Sequence, residues 1–228
     1  MRRAAAAPIL AILLATCTGG GEPPPGRTVR FHTDDGIELA GEIRGSGGAG
    51  IVLAHAFPAD RGSWADFAEF LQQKGYLTLT FDFRGYGDSA GEKHIPDIWR
   101  DVLAATSALR ERGADRIVLV GASMGGTASL IAASRTDVDG VVTLSAPTTF
   151  MGLSAPAEAL AAIDEPKLFV AAEGDGSSPE SAQALYERSS GAKRVEIVPG
   201  ESHGTELLES GQAEVVRNLV LQFLSANT

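Results

Sequence analysis

From Arg27 onward, short apolar runs of strand length alternate with segments whose apolar residues recur at helical spacing. That alternation limits the possible folds more than any other feature of the chain. Val29–His32 and Ile37–Arg44 flank Asp35-Gly36, a hairpin signal. Ile51–Ala54, Leu77–Phe81, Arg116–Val120, Val138–Leu144, Lys167–Ala172 and Arg194–Val198 read as further strands. Ser63–Lys74, Pro96–Arg112, Met124–Ser134, Pro156–Ile163, Pro179–Ser189 and Glu206–Leu224 read as the helices between and after them. In Pro96–Arg112, for example, Ile98, Val102, Ala105 and Leu109 fall on one face and Gly113 stops the helix. Parallel strands need crossover connections, which are right-handed, so the pattern predicts an α/β fold. Its mostly parallel, eight-stranded sheet carries helices on both faces. With 228 residues, 44% of them hydrophobic, the chain suits a single core. No internal repeat divides residues 27–228, and they read as one domain.

The stretch before that domain has a different composition. Arg2 and Arg3 precede an apolar run, Ala4–Ala15, which is the layout of an export signal over residues 1–16 and too short to span a membrane. Leu14-Ala15-Thr16-Cys17 resembles a bacterial lipobox, in which the cysteine becomes the lipidated first residue of the mature chain; Thr16 departs from the usual small residue there. A plain signal peptide that leaves a soluble secreted protein is the other reading. Residues 17–26 run through TGGGEPPPG, a Gly and Pro-rich linker. The expectation is an exported protein held at the membrane or envelope through Cys17. With one cysteine, no internal disulfide is available. The net charge of −10 argues against nucleic acid as a partner.

Ligands of parallel sheets bind beyond the carboxyl ends of the strands, so chemistry is sought there. Ser123 sits in VGASMGG, directly after RIVLV and directly before a helix whose first N–H groups are unbonded. Gly121 and Gly125 suit a pinched turn at that point. A serine hydroxyl is a weak nucleophile and needs a base. Of four histidines, His203 follows the last strand in PGESHGTE; His55, also at a strand end, is the rival and reads better as a structural support. The base in turn needs an acid, and after KLFVAA stand Glu173 and Asp175.

These segments resemble the α/β-hydrolase family. Gly121-Ala122-Ser123-Met124-Gly125 is similar to its G-x-S-x-G nucleophile elbow, and the order serine, acid, histidine is the family's order. AHAFPAD resembles its HG-type segment with Ala56 in place of glycine, and FDFRGYGDSAGE its D-x-R-G-x-G-x-S stretch. AAEGDGSSPE matches the acid-bearing turn at Asp175, with Ala172 where glycine is usual, and GESHG the closing histidine turn. The resemblance implies a catalytic triad of Ser123, Asp175 and His203, with backbone N–H groups of Phe57 and Met124 as the oxyanion hole. It also implies an acyl-enzyme route on carboxylic esters without metal or cofactor, on a monomer that takes a small-molecule substrate. A peptidase, thioesterase or perhydrolase could use the same residues, and a non-catalytic envelope binding protein on a retained fold is the alternative of another class. Asp82 and Arg84 read as partners that stabilise a turn, and Trp64, Phe150 and Met151 as acyl-pocket or core residues. Only 19 residues separate Pro147 from Lys167, room for one short helix and no cap domain. A lidless, dienelactone-hydrolase-like esterase with an open site and a preference for short acyl groups is therefore expected.

Overall fold

The structure is a computed structural model that describes residues 24–228; the signal, Cys17 and most of the linker lie outside the described residues. Ten strands and six helices follow the chain as β1 (Arg27–His32), β2 (Glu38–Arg44), β3 (Ala49–Ala54), α1 (Ala65–Gln73), β4 (Leu77–Phe81), α2 (Ile98–Arg110), β5 (Arg116–Ala122), α3 (Met124–Ala133) and β6 (Gly140–Leu144). Then come β7 (Thr149–Phe150), β8 (Leu153–Ser154), α4 (Ala157–Ala161), β9 (Lys167–Ala172), α5 (Ser178–Arg188), β10 (Lys193–Val198) and α6 (Ala213–Asn227). Eight strands form one sheet in the order β1-β2-β4-β3-β5-β6-β9-β10. Only β2 runs against its neighbours β1 and β4; every other pairing is parallel. The eight-stranded, mostly parallel sheet expected from the alternation is what the chain builds.

The central strands look uniformly apolar because both their faces are buried. Successive residues nevertheless serve different cores. Val52 and Ala54 of β3 pack into the core under α2, α3, α4 and α5, whereas Ile51 and Leu53 pack into the one under α1 and α6. In β9, Phe169 and Ala171 join the first core, and Leu168, Val170 and Ala172 the second. This period of two is the pleat of the strand, hidden in the sequence by two equally dry faces.

Three local features differ from the sequence expectation. The first helix begins at Ala65 rather than Ser63 and is entered through a 3-10 turn, Arg61–Trp64, which Asp60 caps: Asp60 Oδ1 accepts the Gly62 N–H at 2.8 Å. The closing helix begins at Ala213, not Glu206, since Gly204–Leu208 winds as a separate 3-10 turn. Ser210 Oγ then accepts the Gln212 N–H at 3.2 Å, a local bond that competes with a continuous helix. Between Pro147 and Lys167 the short helix α4 is joined by a two-stranded hairpin of β7 and β8. Among the described residues this hairpin stands where a cap domain would be inserted. No described helix is long and apolar enough to cross a membrane.

Candidate active site

Phe57, Ser123, Asp175 and His203 all follow the carboxyl ends of parallel strands, β3, β5, β9 and β10. The sharpest of these turns is at Ser123, whose φ is +49° and ψ −119°. A non-glycine residue rarely holds such a backbone, so its surroundings must impose it. They do so by close approach. A Cβ at Gly121 would overlap the Gly125 carbonyl, and one at Gly125 would overlap the Ala54 carbonyl. The glycines let α3 start hard against β3 and β5, and the turn between them leaves Ser123 projecting above the sheet. Ser123 N–H donates to Leu144 O at 2.8 Å, which fastens the turn to β6. Its hydroxyl has no hydrogen-bond partner among the described residues.

Asp175 and His203 meet directly. His203 Nδ1 lies 2.9 Å from both Asp175 carboxylate oxygens. A carboxylate only accepts, so Nδ1 carries the proton and Nε2 is left with a free lone pair. The Asp175 side chain is 11% exposed and that of His203 42%, so the acid is sheltered and the imidazole opens to solvent. Glu173 is exposed and makes no bond to His203; its N–H instead joins Val198 O at 2.9 Å. The histidine turn packs beside the elbow: a Cβ on Gly204 would lie 3.4 Å from Ala122 Cβ and 3.7 Å from Ala56 Cβ.

The N–H groups of Phe57 and Met124 have no acceptor among the described residues. Met124 opens α3, where unbonded N–H groups and the helix dipole favour negative charge. No group of three or more His, Cys, Asp or Glu side chains comes together as a metal site among the described residues.

His55 is fully buried and both its ring nitrogens are occupied: Nδ1 lies 2.9 Å from Ala56 O, and Nε2 accepts the Phe83 N–H at 3.1 Å. The ring packs edge-on against Phe83 and Tyr86, at 4.8 and 5.1 Å between centroids. It braces the loop after β3 against the loop after β4. Burial holds its pKa below the usual 6.5, against the pull of the Ala56 carbonyl. The unfolded chain therefore binds a proton at His55 that the folded chain refuses, and stability contributed above pH 6.5 is lost as pH falls through the lowered value. Urea unfolding at pH 7.5 and 5.0 checks this: wild type should lose more stability over the interval than His55→Gln. Equal losses would remove the neutral, structural role.

Asp82 and Arg84 hold the same loop. Asp82 is fully buried, accepts N–H bonds from Arg61 and Asp88, and pairs with the Arg61 guanidinium. Arg84 bonds Asp101 through Nε, Nη2 and its own N–H, and reaches Asp35 at 2.8 Å. The Arg84 hydrogen bonds hold the Asp35 carboxyl down to about 2. Of the candidate pocket residues, Trp64 is fully buried core; Phe150 is half-buried and Met151 is 63% exposed. Phe57, 43% exposed, packs its ring 5.6 Å from that of Phe150. A cleft of about 360 Å³ lies at the other end of the sheet, between the start of β9 and α6, away from these residues. One contributor has no sequence signal at all: Ser145, in LSAP after β6, whose hydroxyl accepts the Gly204 N–H at 3.1 Å.

Comparison with known proteins agrees with this architecture. A family model described as alpha/beta hydrolase fold matches residues 51–162. A Mycobacterium tuberculosis protein of uncharacterised activity is 26% identical, over 89% of this chain and 80% of its own length. The Pyrococcus furiosus esterase Pf2001 superposes with a TM-score of 0.77 at 20% identity, over 89% of this chain and 91% of that one. Dienelactone hydrolase from Anabaena variabilis gives 0.76 at 22% identity, over 91% and 99%.

Proposed function

We propose, from a chain that has the α/β-hydrolase fold, a serine hydrolase of carboxylic esters. The observation that carries the reading is the His203–Asp175 contact at 2.9 Å beside a serine held at φ +49°. In this scheme Ser123 Oγ attacks the ester carbonyl and passes its proton to His203 Nε2. Asp175 keeps the imidazole in the tautomer that can accept that proton and stabilises the imidazolium that forms. The carbonyl oxygen takes up negative charge facing the Phe57 and Met124 N–H groups. As the intermediate collapses, the bond to the alcohol breaks and His203 returns the proton to it. Water then attacks the acyl-enzyme by the same route and frees the acid. A fluorophosphonate probe tests the reading: it should add one mass to the protein, at Ser123, and stop ester turnover. Absence of both would leave a binding protein on a hydrolase scaffold.

The lip of the site favours small acyl groups. Phe57, Phe150 and Met151 present apolar surface, but Phe57 and Met151 remain well exposed, so a long chain would find little cover. Each buried CH₂ contributes only about 0.8 kcal/mol, and few are buried here. Acetate to butyrate esters of p-nitrophenol should therefore be turned over with higher kcat/KM than dodecanoate. Met151→Ala should raise KM by about fourfold at most, the worth of one buried CH₂ at ~0.8 kcal/mol, with kcat nearly unchanged. Rates that climb steadily to long chains, with activation at lipid interfaces, would overturn this preference.

A further inference from the structure

Two residues at the carboxyl end of β6 bond to the Ser123 turn, to β9 and to the histidine turn. Leu144 O accepts the Ser123 N–H at 2.8 Å. Ser145 N–H donates to Val170 O at 2.8 Å, in the strand whose end carries Asp175. Ser145 Oγ accepts the N–H of Gly204, the residue after His203, at 3.1 Å.

Ser145 is fully buried and its φ is +56°. Glycine would adopt that backbone more easily, and what serine supplies there instead is the hydroxyl that holds Gly204. Without that oxygen the Gly204 N–H, also buried, has no other acceptor among the described residues. The Ser145 oxygen therefore fixes the height of the histidine turn above the sheet. Asp175 governs a different coordinate, the rotation of the ring, through Nδ1.

We infer that Ser145 is a positioning residue for His203, setting the reach of Nε2 to Ser123 Oγ while touching no reacting atom itself. This rests on the serine-hydrolase reading above. Small errors in such a reach are expensive: a misplacement of about 1 Å costs on the order of 10²-fold in rate.

Ser145→Gly is the informative variant, since it removes the acceptor and suits the positive φ. In a folded Ser145→Gly protein, kcat on a short ester should fall roughly 10- to 100-fold with KM within about twofold. The Nδ1–H resonance of His203 should broaden in the NMR spectrum. A purely structural bond would lower Tm and leave the kcat-against-KM split and this resonance alone. Unchanged kcat and resonance overturn the inference, as does a fall in kcat that only tracks the unfolded fraction. If Ser145→Gly does not fold, Ser145→Cys keeps the volume with a weaker acceptor and should show the same changes in smaller degree; wild-type values there also overturn it. A wild-type protein that the fluorophosphonate fails to label would sink the hydrolase reading instead, and the NMR comparison would still decide whether Ser145 holds the ring.

Discussion

Ser123→Ala should lower ester hydrolysis by on the order of 10³-fold or more, and His203→Ala by a similar factor. The two losses should not multiply in the double variant. In the proposed scheme nucleophile and base act in one proton transfer, so removing either leaves the other with nothing to do. What survives in that scheme is the contribution of the oxyanion donors, assigned to the main chain of Phe57 and Met124 and untouched by either substitution. Fold should be preserved in both, as Ser123 Oγ makes no bond among the described residues and the His203 side chain is 42% exposed. Initial rates on p-nitrophenyl acetate, with circular dichroism as the folding control, make the measurement. A His203→Ala protein that hydrolyses near the wild-type rate would remove His203 from the mechanism.

Arg84→Met should be the most damaging change to stability, at about 3–5 kcal/mol. Asp101 is fully buried and receives the Arg84 guanidinium through Nε and Nη2, at 2.9 and 2.7 Å. Burial already pushes the Asp101 carboxyl up to about 6 with Arg84 in place. Taking the cation away leaves that carboxyl in the core with only the backbone N–H of position 84 for support, so it must stay charged and unpaired or take up a proton that the unfolded chain releases. That cost, rather than the worth of the ion pair itself, is the larger part of the loss. Asp101→Asn added to Arg84→Met should therefore recover stability, because the amide still accepts the N–H but carries no charge. Urea midpoints of the two proteins give the comparison. A loss under about 1 kcal/mol for Arg84→Met would show that Asp101 is solvated or protonated at little cost.

The sheet was legible because strands buried on both faces and helices buried on one, such as α1 and α2, leave different periods in the sequence; α3, buried all round, was placed by the turn before it. The same burial hid the division into two cores, since Ile51 and Val52 are equally apolar although they face opposite ways. The elbow could be read from Gly121 and Gly125, where neighbouring carbonyls exclude any side chain. The choice between Glu173 and Asp175 could not be read from strand position alone: both follow β9, and the family's acid-turn pattern favoured Asp175. In the structure a two-residue difference in the turn brings Asp175, and not Glu173, to Nδ1 of His203. Ser145 was invisible for another reason. Its value lies in a bond across 59 positions to a backbone N–H, and backbone partners leave no trace in side-chain identity. The β7–β8 hairpin was equally silent, being two residues per strand and too short for any period to show.

The hairpin also changes where selectivity comes from. An enzyme with a mobile lid couples recognition to closure: the right substrate drives the lid shut and completes the machinery, and the wrong one does not. Here the 19 residues between Pro147 and Lys167 are taken up by the hairpin and α4, and the imidazole stands open to solvent. Among the described residues no cap stands over the site for such closure to move. In the hydrolase proposed above, discrimination among esters then falls to exposed apolar surface, chiefly Phe57, Phe150 and Met151, and to the differing reactivity of the esters themselves. Fixed apolar surfaces separate substrates by a methylene at only about 1–3 kcal/mol each. On the proposed reading, tolerance of many small esters follows from the length of one connection.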